Sequence, residues 1–377
     1  MNTIIYLDNA ATTKVDDDVV NAMLPYLRGD NYANPSSLHH SGLKVHSQVE
    51  NSRICVANFI KCAQEEVIFT AGATESLNIA IKGLALRPNE SRTKFVTVAT
   101  EHKAVLEIFE YLGQIGFDIH YLAVDKEGLI NLEELEQVVD TNTVGVCIML
   151  VNNETGVLQP IDDIARICAF NAAHFICDAT QGIGKLDIDV KKLNIDLLAF
   201  SGHKIHGPKG IGALFISRNV NLEKTVHGGG QENGYRSGTL NVPGIIGLGK
   251  ACEVARSNMN KDIDHMKKLR KILEKKLLGI AGTKLNGHPI NRSCHISNIS
   301  FPDFDANTFI RESEILMVSN GSACTSSVFE PPYVLSAMGI PKHESFASLR
   351  FSLSKYTTED EIEKAVDILK RWLTKTN

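Results

Sequence analysis

Thr143-Val144-Gly145-Val146-Cys147-Ile148-Met149-Leu150-Val151 decides the fold, together with the two stretches after it. It is a near-continuous apolar run rich in β-formers. Residues 161–172 then carry helical periodicity, and His174-Phe175-Ile176-Cys177-Asp178-Ala179-Thr180 is a second short apolar run. Strands apolar on both faces and separated by helices imply a mostly parallel sheet covered on both sides. The alternation extends outward. Residues 67–70 precede an amphipathic stretch over 74–86, 95–100 precede 103–115, and 119–124 precede 132–139. Residues 197–201 and 212–217 complete the strand series. After Gly228-Gly229-Gly230 the character changes. A helical region over 242–278, with an interruption expected near Ser257, leads into shorter strand and helix signals over 296–373. The expected fold class is α/β: a large domain with a mixed, mostly parallel sheet over 16–255, and a smaller α+β domain from 1–15 and 256–377.

Size and charge narrow the function. A 377-residue chain buries a large core, and a rough prior of one domain per ~150 residues fits the two-part reading. With 39 Lys+Arg against 44 Asp+Glu the formal charge is −5, which lacks the basic footprint of a protein that grips nucleic acid directly. The longest wholly apolar run, 146–151, is far short of the ~20 residues that cross a bilayer. Asp8 and then Asp16, Asp17 and Asp18 come early, with no basic and apolar leader, so a cytoplasmic protein is expected. The eight cysteines (55, 62, 147, 168, 177, 252, 294 and 324) include no CxxC pair. They read as reduced thiols, mostly core residues, with no metal-ligand spacing among them.

In sheets of this kind ligands bind beyond the carboxyl ends of the strands, so chemistry is sought there. The strand over 67–70 is followed by Ala71-Gly72-Ala73-Thr74-Glu75, a small-residue turn opening a helix and suited to a phosphate. The strand over 95–100 is followed by Glu101 and His102, and that over 143–151 by Asn152, Asn153 and Glu154. Asp178 and Gln181 follow the next, and Ser201-Gly202-His203-Lys204-Ile205-His206-Gly207-Pro208-Lys209-Gly210 the last. Singly each has a bland reading as a cap or a surface charge. Together they supply what pyridoxal 5'-phosphate needs: a lysine amine (Lys204) for a Schiff base and a carboxylate (Asp178) for the ring nitrogen. His102 is placed to stack on the ring, Asn153 and Gln181 to bond its phenolic oxygen, and Ala73, Thr74, Ser201 and His203 to hold the phosphate. Positive neighbours at His203, His206 and Lys209 are expected to lower the pKa of Lys204.

Two further residues stand out. Cys324 lies in Asn320-Gly321-Ser322-Ala323-Cys324-Thr325-Ser326-Ser327, a polar small-residue loop unlike the apolar surroundings of the other cysteines. From the residues alone it is either a nucleophile or an incidental loop thiol. Arg350 in Leu349-Arg350-Phe351-Ser352-Leu353 is a candidate fork for a substrate carboxylate.

On these residues the chain resembles the cysteine desulfurases of the class V aminotransferase group, fold type I pyridoxal-phosphate enzymes. The likeness runs essentially end to end. It takes in Tyr6-Leu7-Asp8-Asn9-Ala10-Ala11-Thr12-Thr13, Asn34-Pro35-Ser36-Ser37 and on to His39, and 69–76. Glu101-His102-Lys103, 151–156, 178–185, 201–210, 227–241 and 321–326 follow in order. Gly202 and Ala33 depart from the usual residues, at positions away from the expected chemistry.

The resemblance implies that L-cysteine is held on the cofactor while Lys204 moves the α-proton and His102 assists. Cys324 as thiolate then attacks the substrate sulfur, leaving a persulfide on Cys324 and releasing L-alanine. Substrate contacts are implied for Arg350, Asn153 and Asn34. Similar enzymes are homodimers in which the segment Arg236-Ser237-Gly238-Thr239 reaches the partner subunit's phosphate site, with Thr239 as the contact. The sulfur acceptor is expected to be another protein, serving iron–sulfur assembly, tRNA thiolation or DNA sulfur modification. The chain stops at Asn377, soon after a helical stretch over 360–373, where scaffold-feeding members carry a further tail; the resemblance thus leaves the scaffold as partner in question and a dedicated route as an open alternative. The alternative within the resemblance is a selenocysteine lyase or another class V pyridoxal-phosphate enzyme.

Overall fold

Successive side chains of a strand point to opposite faces, and the central strands of this chain are apolar on both. The computed structural model describes residues 4–321 and 331–375. In chain order the elements are β1 (Ile5–Tyr6), α1 (Asp17–Arg28), α2 (His40–Ile60), β2 (Val67–Thr70), α3 (Ala73–Ala85), β3 (Lys94–Val98), α4 (Lys103–Gln114) and β4 (Asp118–Leu122). Next come α5 (Leu132–Val138), β5 (Thr143–Met149), α6 (Ile161–Phe170), β6 (His174–Asp178), β7 (Leu197–Ser201), β8 (Gly212–Ile216) and α7 (Val242–Leu277). The chain continues through β9 (Lys284–Asn286), β10 (Ile296–Ser300), α8 (Ala306–Glu312), β11 (Leu316–Met317), α9 (Tyr333–Ala337), α10 (Lys342–Phe346), β12 (Ser348–Ser352) and α11 (Glu359–Lys375).

Seven strands form the main sheet in the order β2-β8-β7-β6-β5-β3-β4. β8 runs antiparallel to both neighbours and the other pairings are parallel, as the alternating pattern implies. Two cores account for the doubly apolar runs. On β7, Leu198 and Phe200 join one core, with α2, α6 and the first half of α7. Leu197 and Ala199 join the other, with α3 and α4. Phe215 and Leu214 of β8 divide in the same way. With helices over both faces, polar side chains emerge at the strand ends.

A third core belongs to the C-terminal part. β12-β10-β9 is an antiparallel sheet, and β1 pairs in parallel with β11. Ile5 and Leu7 pack there with Leu269, Leu273 and Leu277 of α7, Phe309 of α8 and Ile362, Val366 and Leu369 of α11. The interruption expected near Ser257 is absent: α7 is one continuous helix. Its polar middle is the span between two cores, and Ser257 Oγ and Asn258 Nδ2 donate to the carbonyls of Glu253 and Val254 one turn back, both at 3.0 Å. Such side chains are accommodated inside a helix when they bond its own carbonyls. Among the described residues no helix is long and apolar enough to cross a membrane, and no group of three or more His, Cys, Asp and Glu is placed to hold a metal ion.

One buried ion pair ties the loop before α7 to the sheet. Arg53 of α2 donates to both carboxylate oxygens of Glu232, at 2.7 and 2.8 Å, and Glu232 also accepts from the backbone N–H of Phe69 on β2 at 2.6 Å. Removing Glu232 takes from buried Arg53 its doubly bonded partner, leaving it only the partly exposed Glu50 at 3.2 Å, and deprives the Phe69 N–H of this acceptor. Glu232→Ala is therefore expected to destabilise the fold by about 3 kcal/mol, the low end of the cost of breaking a buried pair, read as a lower urea midpoint, whereas Glu253→Ala on the exposed side of α7 shifts it little.

Candidate active site

The polar residues beyond the strand ends converge on one cavity of about 310 Å³. From β2 and α3 come Ala73 and Thr74, from the end of β3 His102, and from the turn after β5 Asn153 and Glu154. β6 contributes Asp178 and then Gln181, and β7 contributes Ser201, His203 and Lys204. Arg350 of β12, the Ala10–Ala11 backbone, Gly321 and Tyr333 close it from the C-terminal part.

Each side chain is held for a local reason. Gly72, at φ +153°, is the cap of α3, and a Cβ there would sit 3.2 Å from Ser201 Oγ. That close approach lets the Ala73 N–H donate to Ser201 Oγ at 2.7 Å, at the positive end of a thirteen-residue helix. His102 caps α4: its Nδ1 accepts from the Ala104 N–H at 3.1 Å, so the neutral ring carries its proton on Nε2. Burial, with Lys204 and Lys103 nearby, outweighs the pull of Asp178 and holds His102 below the ordinary histidine range. Asp178 is 6% exposed and accepts from the Thr180 N–H at 2.9 Å. Lys204 Nζ donates to the carbonyls of Ala10 and Ala11 at 2.6 and 2.9 Å. Gln181 Nε2 also donates to Ala10 O, at 2.9 Å.

The expected positive neighbours of Lys204 need correction. Burial pulls His203 and His206 each down to about 4, so neither is charged at neutral pH. The cation underneath is Lys185, which donates to the Lys204 carbonyl at 2.5 Å and is itself pulled down to about 8 by burial. Its signal in the sequence is its place in the 178–185 motif, overlooked because a lone lysine reads as a surface charge. Glu101 is another residue with more to it than its sequence position suggests. It is fully buried, accepts from the Met149 N–H at 2.6 Å and is held well above the usual carboxylate range by burial. Tyr333 donates to its carbonyl at 2.6 Å.

Arg350 is buried and already engaged. Its Nη2 pairs with Asp8 Oδ1 at 2.7 Å and its Nη1 donates to the Asn153 carbonyl at 2.9 Å. Two expected residues lie outside the cavity lining. Asn34 is exposed between α1 and α2, where its Oδ1 accepts from the Ser36 N–H at 2.9 Å. Thr239 is exposed beyond the Arg53–Glu232 anchor, three residues after Arg236, which pairs with Glu75 at 3.2 Å. Cys324 lies outside the described residues. The cavity matches the donor set of pyridoxal 5'-phosphate: an amine, a carboxylate and a helix N-terminus with a hydroxyl beside it, on separate strand ends.

The family model for aminotransferase class-V matches residues 5–365. A cysteine desulfurase of Ehrlichia chaffeensis is 44% identical over 98% of this chain and 91% of its own. A solved structure described as a NifS-like protein superposes with a TM-score of 0.92 at 36% identity, covering 99% of this chain and 100% of that one. The protein SspA, solved in complex with cysteine, gives 0.82 at 37% identity over 94% and 99%.

The burial of His102 makes a direct prediction. In an NMR pH titration of its ring nitrogens, His102 protonates only below the ordinary histidine range.

Proposed function

Since the chain belongs to the class V aminotransferases and is a cysteine desulfurase, we propose that this cavity binds pyridoxal 5'-phosphate and L-cysteine and that the sulfur leaves on Cys324. The observation that carries the reading is the gathering of Lys204, Asp178, His102, Ser201 and Arg350 around one cavity. Asp178 holds the ring nitrogen, Ala73, Thr74, Ser201 and His203 hold the phosphate, and Asn153 and Gln181 face the ring's phenolic oxygen. When bound, the cofactor supplies an electron sink that weakens the bonds around the substrate's α- and β-carbons.

The protein's own groups do the rest. Lys204 anchors the cofactor and carries the α-proton. When released, its ammonium returns to the carbonyls of Ala10 and Ala11, which stabilise the charged form. Lys185 beneath it donates to the Lys204 backbone carbonyl and holds that segment in place. His102, neutral at physiological pH, accepts or donates a proton at Nε2 while its other nitrogen stays fixed to the backbone. Arg350, with Asn153, holds the substrate carboxylate. The Cys324 thiolate, a soft nucleophile, takes the sulfur: the carbon–sulfur bond breaks and a sulfur–sulfur bond forms. L-alanine leaves, and the persulfide passes to an acceptor protein. A second copy of the chain completes the phosphate site through Thr239, on the segment that the Arg53–Glu232 pair anchors to the sheet.

The test is turnover of L-cysteine by the yellow holoenzyme with a thiol reductant, measuring alanine and sulfide in equal amounts. Lys204→Ala is expected to lose turnover by at least about a thousandfold. Cys324→Ser is expected to bind L-cysteine yet release sulfide only at background. Full sulfide release by Cys324→Ser overturns the sulfur-carrier assignment even if the cofactor chemistry stands.

A further inference from the structure

One end of the cavity contains buried polar atoms with no hydrogen-bond partner among the described residues. They are Asn153 Oδ1, both carboxyl oxygens of Glu154 and Arg350 Nε. All three residues line the cavity. A buried polar atom without a partner carries its full desolvation cost, so a cluster of them marks a place that a ligand completes.

Glu154 is the unexpected member. Its backbone is fixed in the turn after β5: its N–H donates to Asn152 Oδ1 at 2.9 Å and its carbonyl accepts from Asn298 Nδ2 at 3.3 Å. The residue is 0% exposed. A Cβ added at Gly321 would lie 2.6 Å from Glu154 Oε2, and Gly321 has φ +95°, so position 321 leaves the carboxyl its space. The charge facing Glu154 is Arg350 on β12, part of which is spent on Asp8 of the N-terminal segment. Burial outweighs that attraction and pushes Glu154 up to about 7.

Arg350 is a fork for a carboxylate that is already partly committed. One N–H of each terminal nitrogen already serves Asn153 or Asp8, which fixes the fork's orientation, and Nε is the nitrogen left without a partner. An ionised Glu154 beside it would repel an incoming carboxylate. A neutral one offers an O–H donor.

We propose that Glu154 is a substrate-contacting residue that works as a neutral acid, its O–H donating to the carboxylate of L-cysteine beside Arg350. The proposal rests on the reading of this cavity as the cysteine site. It makes Glu154 a selector for α-amino acids over simple amines, and it makes affinity fall as pH rises through about 7 and the carboxyl ionises.

The test is equilibrium binding to the holoenzyme, followed by the change in cofactor absorbance, with L-alanine, L-cysteine and cysteamine, which is cysteine without its carboxylate. Glu154→Leu should weaken L-alanine and L-cysteine by about tenfold, the scale of a lost hydrogen bond to a charged group, and leave cysteamine unchanged. Glu154→Gln keeps a neutral donor, so it should stay within about twofold of the parent below pH 7 and lose the parent's decline above it. Equal losses with cysteamine, or a Glu154→Gln as impaired as Glu154→Leu, overturn the proposal. Glu154→Leu removes two unpartnered oxygens in favour of a shorter apolar side chain, and its melting temperature checks that it is folded. A parent holoenzyme that binds none of the three ligands overturns instead the reading of the cavity.

Discussion

The constraint on which the structure rests is the burial of both faces of one seven-stranded sheet. Leu197 to Phe200 on β7 and Ala213 to Ile216 on β8 alternate between two apolar cores, and the charge that does reach the sheet, Arg53, is paired there with Glu232. Polar groups are therefore pushed to the strand ends. The parallel strands end on the same side, which gathers side chains far apart in sequence into one place. The site is a consequence of how the sheet is covered.

The same burial sets the protonation of what it gathers. Glu101 and Glu154 are held above the usual carboxylate range, and Lys185 and His102 below theirs, each mainly through loss of water. In and around the cavity near neutral pH, Glu101 thus keeps its proton and His102 is neutral, while Glu154 and Lys185 titrate close to neutrality. Such groups exchange protons at little cost and do not oppose one another as fixed charges. Where charge is kept it is paired: Arg350 with Asp8, Arg53 with Glu232.

Much of this is legible in the sequence, because period and punctuation carry it. The apolar runs beginning at Thr143 and His174, and the small-residue turn at Gly72, place strands and the helix N-terminus within a residue or two of where they lie. Lys204, Asp178, His102 and Ser201 stand directly after strands, so strand-end logic finds them. What escapes is whatever depends on depth. His203 and His206 read as charges until their burial is known. Lys185 reads as an ordinary surface charge, and Glu101 and Glu154 stand at strand ends without a role of their own. The continuity of α7 escapes for a related reason. Its polar middle looks like a break, and only the presence of an apolar core at each end explains why the helix passes through.

The seat of Lys204 has a consequence for how the protein is made. The carbonyls of Ala10 and Ala11 are held in place by β12, with the Ala10 N–H donating to Ser352 Oγ at 2.8 Å and the Ser352 N–H to Leu7 O at 2.7 Å. A contact spanning some 340 residues forms only when nearly all of the chain has left the ribosome. The sheet can be assembled and its cores filled while the lysine still has no seat. A nascent or truncated chain thus has the strands of the enzyme without its finished centre, and a thiol-handling activity is withheld until synthesis is almost complete.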